Sequence, residues 1–324
     1  MEELLASLRA AGDPTRLRLL RLCAQGEWTV SELTQSLALS QPLVSRHLKQ
    51  LCDAGLIERR PEGSWVFHRL QRDGVPGRLA RQLIESIPHD DPLAVRDNDR
   101  LAAIRRARAA LAADYFRANA ARWDEIRALH VNDAEVEAAL LRLLPPGEVG
   151  GLLDIGTGTG RILELFGSHG VRGVGVDLSR EMLALARANL DRAGLGECYV
   201  RQADMYHLPW GTPEFDAVTI HQVLHYADDP AAAIAEAARV LKPGGRMVIA
   251  DFAPHGVDAL RTEHAHRRLG FGDAEMRTWV GHAGLEPGEP VSLPGEALTI
   301  RLWPEMYRWK VRRSAGGGHG RARA

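Results

Sequence analysis

The residues best suited to chemistry in this chain are three carboxylates and a glycine-rich segment in its second half. The segment DIGTGTG, residues 154–160, runs out of a buried-strand pattern. Glycines at such a strand-to-helix turn let the backbone approach a ligand where a side chain would clash. Asp177 and Asp204 each end a further strand pattern. The carboxylate of Asp177 can accept hydrogen bonds from ribose hydroxyls, and that of Asp204 suits an adenine amine. These residues predict a pocket for a nucleotide-like molecule.

The neighbours of the glycine turn distinguish a dinucleotide from an adenosyl sulfur compound. A dinucleotide fingerprint has a glycine three positions after Gly158, where Arg161 stands instead. Asp154 directly precedes the turn, and a carboxylate there disfavours a pyrophosphate. Three carboxylates around one pocket favour a cationic sulfonium over an anionic ligand.

His221 follows a fourth strand pattern, residues 215–220. Methyl transfer needs a nucleophile held close and in some cases a base to deprotonate it. His221 is the candidate catalytic base, and a histidine that only packs against the cofactor fits the pattern equally well. Tyr115, Phe116 and Trp123 are candidates for a lid over the cofactor, although core aromatics would show the same spacing.

The first part of the chain has the pattern of a helix-turn-helix followed by a hairpin. Asp13 and Pro14 predict a helix start, and a third helix is predicted over residues 41–54, ending at Gly55. Residues 56–60 and 64–70 are predicted strands, joined by a turn at residues 61–63.

The third helix divides into an apolar and a polar face. Val44, Leu48 and Leu51 are spaced to point into the core, which directs the polar residues outward together. Arginine and glutamine can form bidentate bonds to base edges, while serine and lysine suit phosphates. Arg69, like Arg59 and Arg60, is expected to line the hairpin beside the DNA phosphates that flank the contacted bases. The candidate DNA-binding residues are Gln41, Ser45, Arg46 and Lys49 on the helix and Arg59 and Arg60 on the hairpin.

Length and composition indicate a two-domain globular protein. The chain has 324 residues, of which 45% are hydrophobic and 26% charged. A formal net charge of -1 means that any DNA contact depends on a local basic face. Three widely spaced cysteines predict neither disulfides nor a thiolate zinc site. We expect no membrane segment and, without a secretory signal, a cytoplasmic protein.

Proline-rich breaks at residues 88–92 and 145–147 divide the chain. We predict a DNA-binding and dimerisation domain over residues 1–90, a helical connector and lid over 91–147, a ligand-binding domain over 148–310, and a disordered basic tail over 311–324.

Residues 5–72 resemble the ArsR-type winged helix-turn-helix repressors. The matching motifs, in order, are DPTRL at 13–17, SQP at 40–42, VSRHL at 44–48 and LCDAGLI at 51–57. The resemblance implies a homodimer, paired through the first helix and a helix near residues 77–87, on a two-fold symmetric double-stranded operator. Many such repressors sense metals, but residues 34–36 here are Thr, Gln and Ser where paired cysteines would be needed. We therefore expect no metal.

Residues 148–303 resemble the class I S-adenosylmethionine-dependent methyltransferases, through the glycine turn, Asp177, residues 203–205 and VLKPGGR at 240–246. The resemblance implies a Rossmann-like, mostly parallel seven-stranded sheet. It assigns Asp177 to the ribose, Asp204 and Met205 to the adenine, and Asp154 with the glycine turn to the methionine portion. The predicted ligand-binding residues are Asp154, Gly156, Thr157, Gly158, Gly160, Asp177, Leu178, Ala203, Asp204, Met205 and His221.

The expected fold class is thus α/β, a winged helix-turn-helix and a methyltransferase fold joined by a helical connector. This combination resembles ArsR-type repressors of the homocysteine pathway that carry a fused methyltransferase-like domain. It implies a regulator, expected to repress methionine-cycle genes, with S-adenosylmethionine or S-adenosylhomocysteine as effector. The alternative is an active methyltransferase that acts on a small molecule.

Overall fold

The computed structural model of the chain describes residues 1–62, 65–71, 74–119, 133–295 and 298–307. The predicted tail at 311–324 and Trp123 lie outside the described residues. None of the helices within these ranges is both long enough and apolar enough to cross a bilayer.

The N-terminal domain is a helix-turn-helix with a three-stranded wing. Its elements are α1 (Glu2–Ala11), α2 (Pro14–Cys23), β1 (Trp28–Thr29), α3 (Val30–Leu37), α4 (Gln41–Asp53), β2 (Ile57–Glu62), β3 (Trp65–Leu70) and α5 (Gly74–Glu85). Asp13 caps α2 by accepting from the Arg16 amide at 3.1 Å, as its position before Pro14 predicts. Thr29 and Glu32 form a capping box at the start of α3. Gly55 ends the α4 segment with φ 69, the left-handed conformation that its position predicts.

Two boundaries differ from the sequence prediction. Pro61 and Glu62 pair with Val66 and Trp65, so β2 extends through the residues predicted to form the turn. Proline is tolerated there because β2 lies at the edge of the sheet, whose order is β1-β3-β2. The helix after the wing begins at Gly74, three residues before its predicted start.

The connector contributes to the core of the N-terminal domain. It contains α6 (Pro92–Asn119) and α7 (Asp133–Leu143). Leu101 and Ile104 of α6 are 1% and 7% exposed and pack within the helix-turn-helix core. Asp97 accepts two hydrogen bonds from the Arg18 guanidinium, at 2.6 and 2.7 Å. The first turns of α6 are therefore fixed to the DNA-binding domain.

The C-terminal domain is an α/β sandwich. Its elements are β4 (Gly151–Ile155), α8 (Arg161–Gly167), β5 (Arg172–Asp177), α9 (Arg180–Arg192), β6 (Cys198–Gln202), β7 (Phe215–His221), α10 (Pro230–Val240), β8 (Leu241–Phe252), α11 (Ala259–Glu263), α12 (Asp273–His282), β9 (Glu286–Pro287), β10 (Val291–Pro294) and β11 (Thr299–Met306).

Its sheet has the order β10-β11-β8-β7-β4-β5-β6, with β9 paired to β11. Strands β4 to β8 are parallel, and β11 runs antiparallel to β8 and β10. The predicted mostly parallel, Rossmann-like sheet is confirmed, with the short β9 as an addition. Strand order reverses between β4 and β7, and α/β sheets bind ligands in the crevice outside the carboxyl ends at such a point.

Candidate ligand cavity and DNA-facing helix

A cavity of about 830 Å³ lies at the carboxyl ends of β4, β5 and β7. Its volume is within the range of small-molecule sites, roughly 300 to 1,000 Å³. Most of the predicted ligand-binding residues line it: Asp154, Gly156, Thr157, Gly158, Asp177, Leu178, Ala203, Met205 and His221.

The glycine turn wraps around the end of β5. The Gly156 and Thr157 amides both donate to the Val176 carbonyl, at 2.8 and 2.9 Å. Gly156 and Gly158 have φ of 70 and 53, in the left-handed region that favours glycine. A Cβ on Gly156 would lie 2.2 Å from a Val223 methyl. The need for glycine at this position therefore comes from packing against Val223 as well as from ligand access.

Asp177 is held at the rim of this turn by backbone amides. Its carboxylate accepts from the Gly158 amide at 3.0 Å and the Ser179 amide at 2.8 Å. Burial raises the pKa of the Asp177 carboxyl, and the amide bonds oppose that rise. A carboxylate fixed in this way still has lone pairs that a ribose diol can use.

Asp154 lies deeper, 1% exposed, and accepts a hydrogen bond from the Thr219 hydroxyl at 2.7 Å. The arginine at the third glycine position of a dinucleotide fingerprint, Arg161, binds Glu137 of α7 through two bonds of 2.6 and 2.8 Å. Carboxylates at the turn, and an arginine engaged by a carboxylate, fit a cationic S-adenosyl ligand better than a pyrophosphate.

Two predicted ligand-binding residues, Gly160 and Asp204, are not among the described residues that line the cavity. Gly160 starts α8 with φ 85, and a Cβ there would lie 3.1 Å from that of Ala186 on α9. Asp204 accepts from the Tyr206 amide at 3.0 Å and lies 3.7 Å from the His207 ring. The structure uses Gly160 for helix packing and Asp204 to close a turn.

The far wall contains residues that the motifs did not indicate. Gln222 and Ala265 line the cavity with φ of 53 and 56, a conformation uncommon for residues other than glycine. Tyr226 and His266 lie beside them. Ala265 and His266 belong to the irregular segment between α11 and α12, where no periodic pattern signals a role.

The DNA-binding domain and connector also contribute to the wall, through Glu32, Trp65, Phe67 and Phe116. The Phe116 ring meets that of Tyr226 edge-on, with centroids 4.8 Å apart. Phe116 thus lines the cavity, and its role as a lid stays a prediction; the Tyr115 side chain lies outside the described residues.

The predicted DNA-facing surface is open to solvent. On α4, Val44, Leu48 and Leu51 are buried. The residues expected to contact DNA from this helix are all exposed: Gln41, Ser45, Arg46 and Lys49. The Lys49 ammonium also pairs with Asp53 at 2.7 Å.

On the wing, Arg59 is exposed and the Arg60 side chain lies outside the described residues. Arg69, expected near phosphates, binds Glu58 at 2.8 Å and Glu27 at 3.3 Å. Its guanidinium is therefore engaged by carboxylates of its own domain.

Comparison with known proteins separates the same two halves. The model of the bacterial regulatory protein arsR family matches residues 13–59, and that of the methyltransferase domain matches residues 153–249. A demethylmenaquinone methyltransferase of Thermobifida fusca is 32% identical over 166 residues, which cover 51% of this chain and 67% of that protein.

The first half is similar to the arsenic resistance transcriptional regulator ArsR1 of Pseudomonas putida, with 49% identity over 63 residues, or 19% of this chain and 49% of the regulator. A chain of the solved complex between the Haloferax volcanii Trm112 methyltransferase activator and a methyltransferase superposes on 60% of this chain and 98% of its own length, with 25% identity and a TM-score of 0.50.

Proposed function

The chain belongs to the methyltransferases through its second half and carries an ArsR-family helix-turn-helix in its first, and we propose that it is a transcriptional regulator with an S-adenosyl effector. In this proposal the protein represses methionine-cycle genes. Its methyltransferase domain binds S-adenosylmethionine or S-adenosylhomocysteine, and the bound ligand changes its affinity for DNA.

One observation carries the proposal: a short segment of cavity-lining residues continues directly into a buried contact with the DNA-binding domain. Ala265, His266 and Arg267 line the cavity. The next residue, Arg268, is 3% exposed and binds Glu27, just before the wing strand β1, at 2.6 Å and Glu275 at 2.8 Å. A ligand that shifts this segment also shifts the contact with the DNA-binding domain.

The contact around Arg268 is a network rather than an isolated pair. Glu27 also binds Arg69 of β3 at 3.3 Å, and Arg69 lies 3.9 Å from Glu275. The Arg268 guanidinium stacks over Trp279, 5.6 Å from the ring centroid. A buried network of this kind fixes the relative position of the two domains in one defined arrangement. A switch requires such discrete arrangements, because a ligand can then favour one of them over another.

The residues that would hold the effector are those at the carboxyl ends of β4, β5 and β6. Asp177 would take the ribose hydroxyls, and Asp154 with the glycine turn would take the methionine portion. Ala203 and Met205 would enclose the adenine.

Dimerisation would place two α4 helices on one operator. Leu5 and Leu8 of α1 are each 42% exposed, and Val75 of α5 is 37% exposed. Apolar side chains on the two helices expected to pair are consistent with a two-fold interface and with half-sites about one helical turn apart.

The test is an operator titration with the full chain. An operator selected from random duplexes is titrated with protein alone, with S-adenosylmethionine and with S-adenosylhomocysteine. We expect at least one ligand to change the dissociation constant tenfold or more, about 1.4 kcal/mol of coupling. The same constant in all three titrations would refute the effector role.

A second candidate function, methyl transfer to a small molecule, is favoured by the extent of the cavity beyond Asp154 and Asp177 to Tyr226 and His266. When bound, S-adenosylmethionine supplies an electrophilic methyl group, which an acceptor lone pair takes as the carbon–sulfur bond pair returns to sulfur. His221, which lines the cavity, would take the proton of the acceptor. The test is to incubate the purified protein with labelled S-adenosylmethionine and cell extract. A labelled product that the wild type forms and the variant His221→Ala does not form would favour the enzyme.

A further inference from the structure

We propose that the part of the cavity beyond the S-adenosyl residues is a second binding site, formed jointly by the wing and the methyltransferase domain, for a planar aromatic small molecule. The inference rests on the proposed function for the neighbouring S-adenosyl site. It adds a ligand class and a set of residues that neither domain provides alone.

One wall of this site is the wing strand β3. Trp65 and Phe67 are two positions apart, so their side chains lie on the same face of the strand. Their ring centroids are 6.1 Å apart with an interplanar angle of 27°. Phe67 is 4% exposed, whereas Trp65 is 44% exposed and has ring surface to offer a ligand.

A second wall of the same cavity is a set of rings from the methyltransferase domain and the connector. Tyr226 meets Phe116 edge-on at 4.8 Å and His266 at 5.2 Å between centroids. All three residues line the cavity.

A buried pair behind this wall fixes its orientation. The Nδ1 atom of His225 lies 2.7 Å from the Asp251 carboxylate, and these residues are 2% and 0% exposed. The His225 ring stacks on that of His266 at 4.0 Å with an angle of 27°. His266 is thus held as a flat surface before any ligand binds.

Arg261 of α11 connects the wing rings to the methyltransferase domain. It is 9% exposed, and its guanidinium carbon lies 5.3 Å from the Trp65 ring centroid and 5.5 Å from that of Phe67. A cation over aromatic faces attracts them, which keeps the wing rings against the methyltransferase domain.

Because both walls consist of aromatic rings, the site favours a flat aromatic ligand. Aromatic pairs prefer offset or edge-on contacts with centroids roughly 4.5 to 7 Å apart and are stabilised beyond what simple burial provides. A saturated ring of the same skeleton lacks the π face and gains only the burial.

The experiment compares 2-naphthol with decahydro-2-naphthol, which share a carbon skeleton and a hydroxyl group. Each is titrated calorimetrically into the full chain saturated with S-adenosylhomocysteine. We expect 2-naphthol to bind about tenfold more tightly. Equal affinity for the two probes would overturn the assignment of an aromatic ligand.

Substitutions then locate the site. Trp65→Ala is expected to weaken 2-naphthol about tenfold, and Trp65→Phe to restore most of the loss. Tyr199→Ala is the matched control, because Tyr199 is a 55% exposed aromatic on β6 away from the cavity. If Trp65→Ala binds 2-naphthol as the wild type does, the wing does not form the site.

The naphthol titrations, taken together with the operator titration, separate this inference from the effector proposal. Naphthol binding that depends on Trp65, without any effect of S-adenosyl ligands on the operator, would leave the second site standing and refute the effector. The reverse outcome would refute only the second site.

Discussion

The predicted DNA-binding side chains on α4 are exposed, whereas the carboxylates expected to hold the S-adenosyl ligand are built into the C-terminal sheet. Arg46 stands on the outer face of its helix, while Asp154 is 1% exposed beneath the cavity. Exposed groups can be changed with little effect on packing, but buried, hydrogen-bonded groups contribute to function and stability together. A substitution in the first region should therefore alter one property and a substitution in the second should alter both.

The largest effect is expected from Arg46→Ala. Loss of a bidentate base contact costs about 1 to 3 kcal/mol in each half-site, enough to abolish operator recognition in a dimer. Because Arg46 is exposed, the free energy of unfolding should change by no more than about 0.5 kcal/mol. Operator titration and thermal melts measure the two quantities. A calorimetric loss of S-adenosylhomocysteine binding in this variant would contradict the separation of the regions.

Asp177→Ala should weaken S-adenosylhomocysteine by about 1.5 to 3 kcal/mol, because the ribose hydroxyls lose their acceptor. It should also lower the melting temperature, since the Gly158 and Ser179 amides lose their partner. Calorimetry and melts check both effects. Asp204→Ala is the control, because the motif resemblance assigns Asp204 to the adenine whereas the described cavity lining does not include it. An equal loss in that variant would favour the motif-based assignment.

Glu27→Gln tests the contact between the two regions. The substitution removes the charge that faces Arg268, so the effect of the ligand on operator affinity should fall from tenfold or more to below about threefold. Glu58→Gln is the matched control, because Glu58 also binds Arg69 but belongs to the wing alone. Full ligand response in the Glu27 variant would show that the signal takes another route.

The smallest effect on ligand or DNA binding is expected at Glu305, a buried acid that is not among the described residues lining the cavity. Burial raises the pKa of Glu305 on β11 to about 8. Between about pH 5 and 8 the folded state then holds a proton that the unfolded state has lost, so stability falls as the pH rises. In the wild type the free energy of unfolding should therefore decrease between pH 5 and pH 8.5. In the variant Glu305→Gln this decrease should be smaller by at least about 1 kcal/mol, as measured by urea unfolding at the two pH values. If the free energy of unfolding of the variant and of the wild type depends on pH in the same way, Glu305 does not have the raised pKa.

Local sequence patterns determined the helix starts, the two faces of α4 and the glycine turn at the end of β4. Each depends on residues a few positions apart: Asp13 with Arg16, Val44 with Leu48 and Leu51, and residues 154–160 with the strand before them. Such short-range preferences act before the domains meet, so the sequence alone can indicate them.

The tertiary structure alone decided which side chains reach the cavity. It left Asp204 out of the described cavity lining and in a turn with Tyr206, tied Arg69 to Glu58 and Glu27, and brought Trp65 and Phe67 to a site in the other domain. Arg268 meets Glu27 across 241 positions of the chain. No periodic pattern encodes a contact at that separation, because it exists only after both domains have folded and packed together.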